Sequence, residues 1–252
     1  MDAAAERVFF EVHRRLPQEA PGSDASTRRA LSLLPPLPAE PEVLDVGCGP
    51  GRQTLELLRG TGGRVTAVDT HPPYLADLTR RAEAEGLGGR LRATEADMTR
   101  LPFADASFDL LWSEGAIYLM GVAPALKAWR RLLRPGACIA FTEIAWLTED
   151  RPEEARRVWD EGYPAMTTVD GNSRLIASAG YEELARFVLP ESDWWDYYRP
   201  IGARLSGLRR RYAGDPAALA VLDAETREIE LYRAHSRAYG YAFFIVRPRL
   251  FC

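Results

Sequence analysis

The sequence contains the stretch Val43-Leu44-Asp45-Val46-Gly47-Cys48-Gly49-Pro50-Gly51, a short apolar run that ends in three alternating glycines. The apolar run predicts a buried strand. The glycines predict a tight loop, because a Cβ would hinder both a positive φ and the approach of a ligand to the backbone. Residues 52–59 then predict a helix that Gly60 stops. The loop therefore opens onto a helix N-terminus with free backbone N–H groups, an arrangement typical of nucleotide-type sites.

A second signal lies about 20 positions after the loop, where the apolar run 64–69 ends in Asp69. Nucleotide-binding folds place a carboxylate there to accept hydrogen bonds from ribose hydroxyls. The glycine spacing is G-x-G-x-G rather than the G-x-G-x-x-G of dinucleotide binders, and Asp45 would meet a pyrophosphate unfavourably. Both features argue against a nicotinamide cofactor, and a nicotinamide-dependent oxidoreductase is kept only as the alternative.

Two further motifs follow in the chain. They are Ala96-Asp97-Met98, with Leu101-Pro102-Phe103 downstream, and the run from Phe108 to Ser113. Together with the glycine loop and Asp69, they resemble the ordered motifs of class I S-adenosylmethionine (SAM)-dependent methyltransferases across roughly residues 40–145. The set is most similar to the small-molecule methyltransferases of the quinone-biosynthesis type (methyltransferase type 11).

This resemblance implies a Rossmann-like α/β fold, a doubly wound seven-stranded mainly parallel sheet whose last strand is antiparallel, with a helical cap. The patterns agree with it. Residues 90–95 alternate like a half-exposed edge strand, whereas 108–112 and 137–141 are nearly continuous apolar runs, typical of strands buried on both faces. The last two strands are expected at Glu182–Leu189 and Tyr239–Val246.

Helical spacing of apolar residues predicts the remaining elements. Two helices precede the first strand, another begins at Pro72-Pro73, and one more carries the stripe Val122, Leu126, Trp129 and Leu133, with Pro135-Gly136 as its end. The helical segment 193–236 is too long for the hairpin loop expected before the final strand, so it is interpreted as an inserted cap.

The expected organisation has five parts. N-terminal helices (1–36) cover the cofactor cleft or, alternatively, pack on the sheet edge. The SAM-binding core follows at 37–150. Residues 151–192 contain part of the cap, the last crossover helix and the sixth strand. The cap insertion is 193–236, and the final strand is 237–252. The aromatic cluster at 194–198 is either a wall of the substrate site or the packing core of the cap.

The resemblance also implies a cofactor site for SAM. Asp69 would bind the ribose diol, Asp97 the adenine amino group, and the backbone N–H of Met98 a ring nitrogen. The two carboxylates would accept hydrogen bonds from the cofactor, and the N–H would donate one. His71 either flanks the adenine or faces solvent. The expected cofactor-binding residues are Asp45, Gly47, Cys48, Gly49, Gly51, Gln53, Asp69, Thr70, Asp97, Met98 and Ser113.

Methyl transfer needs alignment and, for some acceptors, removal of a proton. Glu114 and Tyr118, after the fourth strand, are the candidate catalytic residues; alternatively, Glu114 binds the cofactor or caps the next helix. Glu143 and Trp146, which follow the fifth strand, also belong to the edge where ligands bind. The sequence has Ser-Glu-Gly-Ala where methyltransferases acting on amino groups of nucleic acids have Asn-Pro-Pro-Tyr, which argues against methylation of DNA bases.

Composition limits the possible partners. The chain has 252 residues, 46% of them hydrophobic and 27% charged, with a net charge of −4. An acidic balance disfavours nucleic-acid binding, no apolar run approaches the ~20 residues of a membrane span, and the N-terminus is acidic where a signal peptide would be basic. The three cysteines lack metal-ligand spacing, and no metal site is expected. We therefore expect a cytoplasmic monomer or homodimer acting on a small-molecule methyl acceptor, or else a SAM-binding protein without catalysis.

Overall fold

The computed structural model describes residues 3–249. Residues 250–252, which include Cys252 and end the predicted final segment, lie outside the described residues, as do residues 1 and 2.

Helices and strands alternate through most of the described chain. The helices are Ala3–Val12 (α1), Asp24–Ser32 (α2), Arg52–Thr61 (α3), Pro72–Ala84 (α4), Val122–Trp129 (α5), Glu153–Gly162 (α6), Val169–Ser178 (α7), Glu191–Arg211 (α8) and Pro216–His235 (α9). The strands are Glu42–Val46 (β1), Arg64–Asp69 (β2), Leu91–Glu95 (β3), Phe108–Ser113 (β4), Leu133–Trp146 (β5), Thr167–Thr168 (β6), Tyr181–Val188 (β7) and Tyr239–Pro248 (β8). Short 3₁₀ turns lie at Gly88–Arg90, Ile117–Leu119 and Arg130–Leu132.

The strands form one sheet in the order β3-β2-β1-β4-β5-β8-β7, and the two-residue β6 pairs with β5. Strands β1 to β5 pair in parallel, whereas β8 runs antiparallel to both β5 and β7. The predicted seven-stranded, mainly parallel sheet with an antiparallel last strand is confirmed, with β6 as a short addition. The half-exposed β3 is the edge strand, as its alternating pattern predicted.

Helices cover both faces of the sheet, so the sheet is doubly wound. On one face, α5 and α7 pack through residues such as Leu126 and Ile176 against Leu111 of β4. On the other face, α2, α3 and α4 pack in a cluster that includes Leu58 and Trp112. Burying both faces of the central strands accounts for their nearly continuous apolar sequences.

A third apolar cluster joins α1, α8 and α9 to the carboxyl end of β5. Val8 of α1, Trp194 of α8 and Tyr232 of α9 pack there with Ile144 and Trp146. The rings of Trp194 and Tyr232 stack at 4.1 Å. The two helices of the segment 193–236 therefore lie at the edge of the sheet where ligands of this fold class bind.

One predicted helix ends earlier than its pattern suggested. The stripe from Val122 to Leu133 predicted a helix running to Pro135-Gly136, but α5 ends at Trp129 and Leu133 already belongs to β5, paired with Phe108. Pairing with β4 and burial of Leu133 outweigh the local helical pattern here, since strand pairing depends on tertiary context that periodicity does not contain.

Gly51 allows α3 and α4 to approach each other closely. Its φ is +82°, and a Cβ at this position would lie 2.3 Å from Cδ1 of the buried Leu78 on α4. Gly86, with φ of +72°, is a matched control because a Cβ there would meet nothing within 4 Å.

We expect Gly86→Ala to lower the free energy of unfolding by roughly 1–2 kcal/mol, the cost of a side chain in left-handed backbone. Gly51→Ala should cost distinctly more, because Leu78 must also move in a packed core. Denaturant unfolding of both variants measures the difference. Equal losses would contradict a role for Gly51 in packing α3 on α4.

Candidate active site

A cavity of about 540 Å³ lies at the carboxyl ends of β1, β2 and β4. Gly47 and Asp69 line it from the ends of β1 and β2, and Glu114 lines it from the residue after β4. Phe10 of α1 closes it from the other side. This is the position where open parallel sheets bind their ligands.

The glycine loop crosses from β1 over the end of β2. The backbone N–H groups of Gly47 and Cys48 both donate to the carbonyl of Val68, at 2.9 and 3.0 Å. Gly47 has φ of +70°, and a Cβ there would lie 2.5 Å from Cβ of Ala116. Only glycine allows the chain to turn this tightly beside the cavity.

Asp69 is held by two backbone donors. Its Oδ2 accepts from the N–H of Gly49 at 2.8 Å, and its Oδ1 accepts from the N–H of His71 at 2.9 Å. A carboxylate has about four acceptor positions. Asp69 is therefore fixed in orientation at the cavity wall while retaining acceptor capacity for a ligand.

Asp97 and Met98 lie at the far end of the cavity. Oδ1 of Asp97 accepts from both the N–H and the hydroxyl of Thr99, each at 2.8 Å, and these bonds lower the pKa of Asp97. The carbonyl of Met98 accepts from Nε1 of Trp129 at 3.1 Å. Asp97 is thus an ionised acceptor on an anchored turn.

His71 belongs to an aromatic wall. Its ring stacks on Phe10 at 4.2 Å with an interplanar angle of 5°, and it meets Tyr74 edge-on at 4.4 Å. All three residues line the cavity. The solvent-facing interpretation of His71 is therefore wrong, because α1, which sequence periodicity could not place in space, packs its aromatic residues over it.

Glu114 is engaged in a buried polar network. Its Oε2 accepts from Nη2 of Arg52 at 2.6 Å, and its Oε1 accepts from the Thr27 hydroxyl at 2.7 Å and from Nε1 of Trp112 at 2.9 Å. Arg52 also reaches the Thr27 hydroxyl at 3.2 Å and Asp24 at 3.2 Å. Three donors, one of which is also the ion-pair partner Arg52, make Glu114 an anchoring group with little free acceptor capacity.

Asp45, Gly51 and Ser113 lie behind the wall of the cavity rather than on it. The hydroxyl of Ser113 donates to the carbonyl of Val46 at 2.9 Å and ties β4 to β1. Asp45 accepts from the hydroxyl of Thr54 at 2.6 Å, and burial raises its pKa to about 7. The expected site residues that do line the cavity are Gly47, Cys48, Gly49, Gln53, Asp69, Thr70, Asp97, Met98, Glu114 and Tyr118.

Sequence reasoning missed several residues of this cavity. Arg52 directly follows the third glycine, and this position next to the loop could have identified it as a residue of the cavity. Phe10, Glu19 and Tyr74 lie far from the glycine motif or on a different helix face, and no local pattern marks them. Phe10 and Tyr74 reach the cavity through the packing of α1 and α4, and Glu19 reaches it from the segment between α1 and α2.

A second cavity of about 770 Å³ adjoins the first. The two share Phe9, Glu19 and Tyr118 among their lining residues. Its aromatic walls come from α6, the turn after it, α8 and β8. They include Trp159, Tyr163, Trp194, Tyr197, Tyr239 and Tyr241. Trp194 and Tyr197 also pack in the buried helical layer, which confirms the cluster as a packing core, whereas its role as a wall of the substrate site stays a prediction.

Within residues 3–249, no cluster of three or more His, Cys, Asp or Glu side chains is arranged to hold a metal ion. None of the helices in this range has the length and apolar character needed to cross a membrane. Cys48 and Cys138 are unpaired and buried, and Cys252 lies outside the described residues.

The Glu114–Arg52 pair gives a stability prediction with a matched control. Glu114→Gln leaves the buried charge of Arg52 without its main partner, and we expect a loss of roughly 3–5 kcal/mol in the free energy of unfolding. Glu182→Gln removes the same charge from the exposed ion pair with Arg247, and it should lower the free energy of unfolding by at most about 1 kcal/mol. Denaturant unfolding of both compares them; a similar loss in the two variants would contradict the structural importance of the buried pair.

Comparison with known proteins gives the family. A sequence model of the methyltransferase domain matches residues 43–136. The chain is 30% identical to the uncharacterized methyltransferase YodH of Bacillus subtilis over 173 residues, which cover 68% of this chain and 72% of YodH. It is 27% identical to the 27-O-demethylrifamycin SV methyltransferase of Amycolatopsis mediterranei over 242 residues, covering 90% of this chain and 84% of that enzyme.

A solved structure shares the fold. The SAM-dependent methyltransferase from Thiobacillus denitrificans, in complex with S-adenosyl-L-homocysteine, superposes with a TM-score of 0.83 at 21% identity, over 96% of this chain and 98% of that one. Other curated methyltransferases are longer, and the chain spans about half of their length, for example 42%, 55% and 58% of three of them. From the motifs, the sheet and the match to YodH, the chain belongs to the class I SAM-dependent methyltransferases.

Proposed function

We propose that the protein is an enzyme that transfers the methyl group of SAM to a small-molecule acceptor by in-line displacement. The observation that carries this proposal is the pair of adjoining cavities. One is built from the glycine loop and Asp69, and the other has aromatic walls, with Tyr118 at their shared boundary. When bound, SAM supplies a methyl group that its sulfonium charge activates, and the protein contributes chiefly alignment.

The residues of the first cavity fit SAM. Asp69 would hold the ribose hydroxyls, and Asp97 would accept from the adenine amino group. Oδ1 of Asp45 is buried behind the cavity wall without a hydrogen bond from any described residue, so its charge would favour the cationic end of the methionine part without contacting it. Nε of Arg52 is likewise buried and unpartnered, and the guanidinium would pair with the cofactor carboxylate. The glycine spacing gives no support to the nicotinamide alternative.

We place the methyl acceptor in the second cavity. Aromatic rings give it large apolar walls with polar tips, which suits a mainly apolar small molecule that carries a few polar groups. Tyr118 would contact both ligands because it borders both cavities. Glu114 would act by holding Arg52 and α2 in place rather than as a base, since its oxygens are already bonded.

The wider organisation is part of the same proposal. Residues 1–36, part of 151–192 and 193–236 would cover a SAM-binding core formed by 37–150 and the final strand 237–252. We further propose that the protein acts in the cytoplasm as a monomer or homodimer, without nucleic acid. Its net charge of −4 and the unpaired Cys48 and Cys138 support this proposal.

Methyl transfer itself is tested with SAM labelled in the methyl group and a metabolite extract. Wild-type protein should move label into one or a few small molecules. A variant with Gly47→Val, which fills the loop beside Ala116, should move none. Tight SAM binding without any transfer of label would favour a SAM-binding protein that lacks catalysis.

Asp69→Ala should weaken SAM binding about 10- to 100-fold, since charge-assisted hydrogen bonds contribute roughly 1.5–3 kcal/mol each. Asp105→Ala is the matched control, because Asp105 is exposed and lies outside both cavities. Isothermal titration calorimetry on folded variants measures both affinities. An unchanged dissociation constant for Asp69→Ala would remove this carboxylate from the site.

A further inference from the structure

Glu143 is a buried carboxylic acid that the proposed function has not used. Its relative exposure is 1%, and neither carboxyl oxygen has a hydrogen bond from any residue that the structure describes. Buried polar groups are normally bonded, so each exception calls for an explanation. Burying a carboxylate without partners costs free energy, whereas the other buried acids all accept side-chain hydrogen bonds; they are Asp45, Glu56, Glu114 and Asp193.

Glu143 lies next to the wall of the second cavity. It is near the carboxyl end of β5, where its side chain points to the opposite face of the strand from the cavity-lining Ile144, so the part of the wall that it meets is Tyr163. The Tyr163 hydroxyl is close enough to lower the pKa of Glu143, although no hydrogen bond of regular geometry joins the two. Tyr163 also lines the cavity, and its ring meets that of Tyr118 edge-on at 5.8 Å. One phenol group therefore separates the buried acid from the cavity.

The groups that face Glu143 come from several elements. Tyr163 follows α6, Tyr118 lies in the 3₁₀ turn after β4, and Tyr241 comes from β8. Burial raises the pKa of each of these phenols, so they stay neutral near physiological pH. Glu228 of α9 faces Tyr118 and Tyr241, but it is exposed and itself lines the second cavity. Glu143 is thus the buried acid of this group and Glu228 the exposed one.

We propose that Tyr163 and Glu143 form a proton-accepting pair for an acceptor in the second cavity whose nucleophile is a hydroxyl group. Tyr163 contacts the acceptor, and Glu143 acts through Tyr163. The inference rests on the proposed function and adds the chemical class of the acceptor: a largely aromatic or apolar molecule that bears a hydroxyl group.

The transfer balances as follows. The acceptor oxygen forms a bond to the methyl carbon, and the bond between that carbon and sulfur breaks with its electron pair left on sulfur. The hydroxyl proton of the acceptor passes to the oxygen of Tyr163 as the Tyr163 proton passes to the carboxylate of Glu143. After the products leave, Glu143 returns its proton to the oxygen of Tyr163 as the hydroxyl proton of Tyr163 passes to solvent in the cavity, which restores the pair.

The proton affinity of Glu143 suits this task. Burial raises the pKa of Glu143 to about 8. A general base works best when its pKa lies near the operating pH, because it is then both available and basic. An ordinary exposed glutamate would be too weak a base for a hydroxyl proton.

Binding of two probes tests the pair without knowledge of the natural acceptor. The probes are 2-naphthalenemethanol and its methyl ether, which share an apolar body and differ in the hydroxyl hydrogen. We expect wild-type protein to bind the alcohol about tenfold more tightly than the ether at pH 9, since one hydrogen bond to the Tyr163 oxygen is gained and the ionised Glu143 strengthens it by polarising the phenol. This preference should shrink as the pH falls through about 8, because Glu143 then becomes protonated.

Three variants locate the effect. Tyr163→Phe should abolish the preference, and Glu143→Gln should remove its pH dependence. Glu228 itself lines the second cavity and is the rival acid, so a pH dependence that disappears in Glu228→Gln and persists in Glu143→Gln overturns the proposal. Thermal unfolding checks that each variant is folded, and Tyr163→Phe keeps the test usable if Glu143→Gln does not fold.

The outcomes are distinct. A pH-independent preference in wild-type protein, a pH dependence retained in Glu143→Gln, or no binding of the alcohol overturns the proposal. Calorimetry with SAM on the same samples reports separately on the first cavity. A protein that binds SAM but shows no probe preference contradicts the proton-accepting pair alone, whereas loss of SAM binding contradicts the proposed function.

Discussion

The hydrogen bond from the backbone N–H of Gly49 to the carboxylate of Asp69 joins the two parts of the sequence on which the site depends. It connects the loop after β1 to the end of β2, and the N–H groups of Gly47 and Cys48 reinforce it through the carbonyl of Val68. The chain can make these bonds only because it leaves a fully buried strand through backbone that lacks side chains at the crowded positions. The cavity, the direction of α3 and the orientation of Asp69 follow from this one turn.

Three buried acids near the cavities are stabilised in different ways, and the differences suggest different roles. Glu114 is paired with Arg52 and bonded by two further donors, so its charge is compensated within the protein. Asp45 has one hydroxyl partner and one oxygen without a hydrogen bond, and it lies behind the cavity wall, where we propose that its charge favours the cationic end of the cofactor. Glu143 has no regular hydrogen bond and borders a wall of phenols. A buried acid whose charge is balanced by protein donors anchors the structure. A buried acid without such donors is one for which we propose a ligand or a proton as the partner.

Sequence patterns predicted those features that depend on residues close together in the chain. The glycine loop, Asp69 and the buried runs of β4 and β5 were recognisable because spacing and apolar content fix them. The end of α5 was not, since Leu133 joins a strand only when β4 lies beside it. The aromatic wall around His71 and the second cavity were out of reach for the same reason. The second cavity brings together side chains from four segments that are distant in sequence, and no spacing along the chain predicts this contact. They are Phe9, Tyr118, Tyr163 and Tyr241.

The central claim is that the cavity built on the glycine loop holds SAM beside a separate acceptor cavity. The most direct test is a crystal structure of the full chain grown with S-adenosyl-L-homocysteine. The account predicts the ligand against Gly47 and Asp69, with its adenine near Asp97 and its sulfur directed toward Tyr118. Density for the ligand in the aromatic cavity instead, or no binding in crystals and in solution, would contradict it.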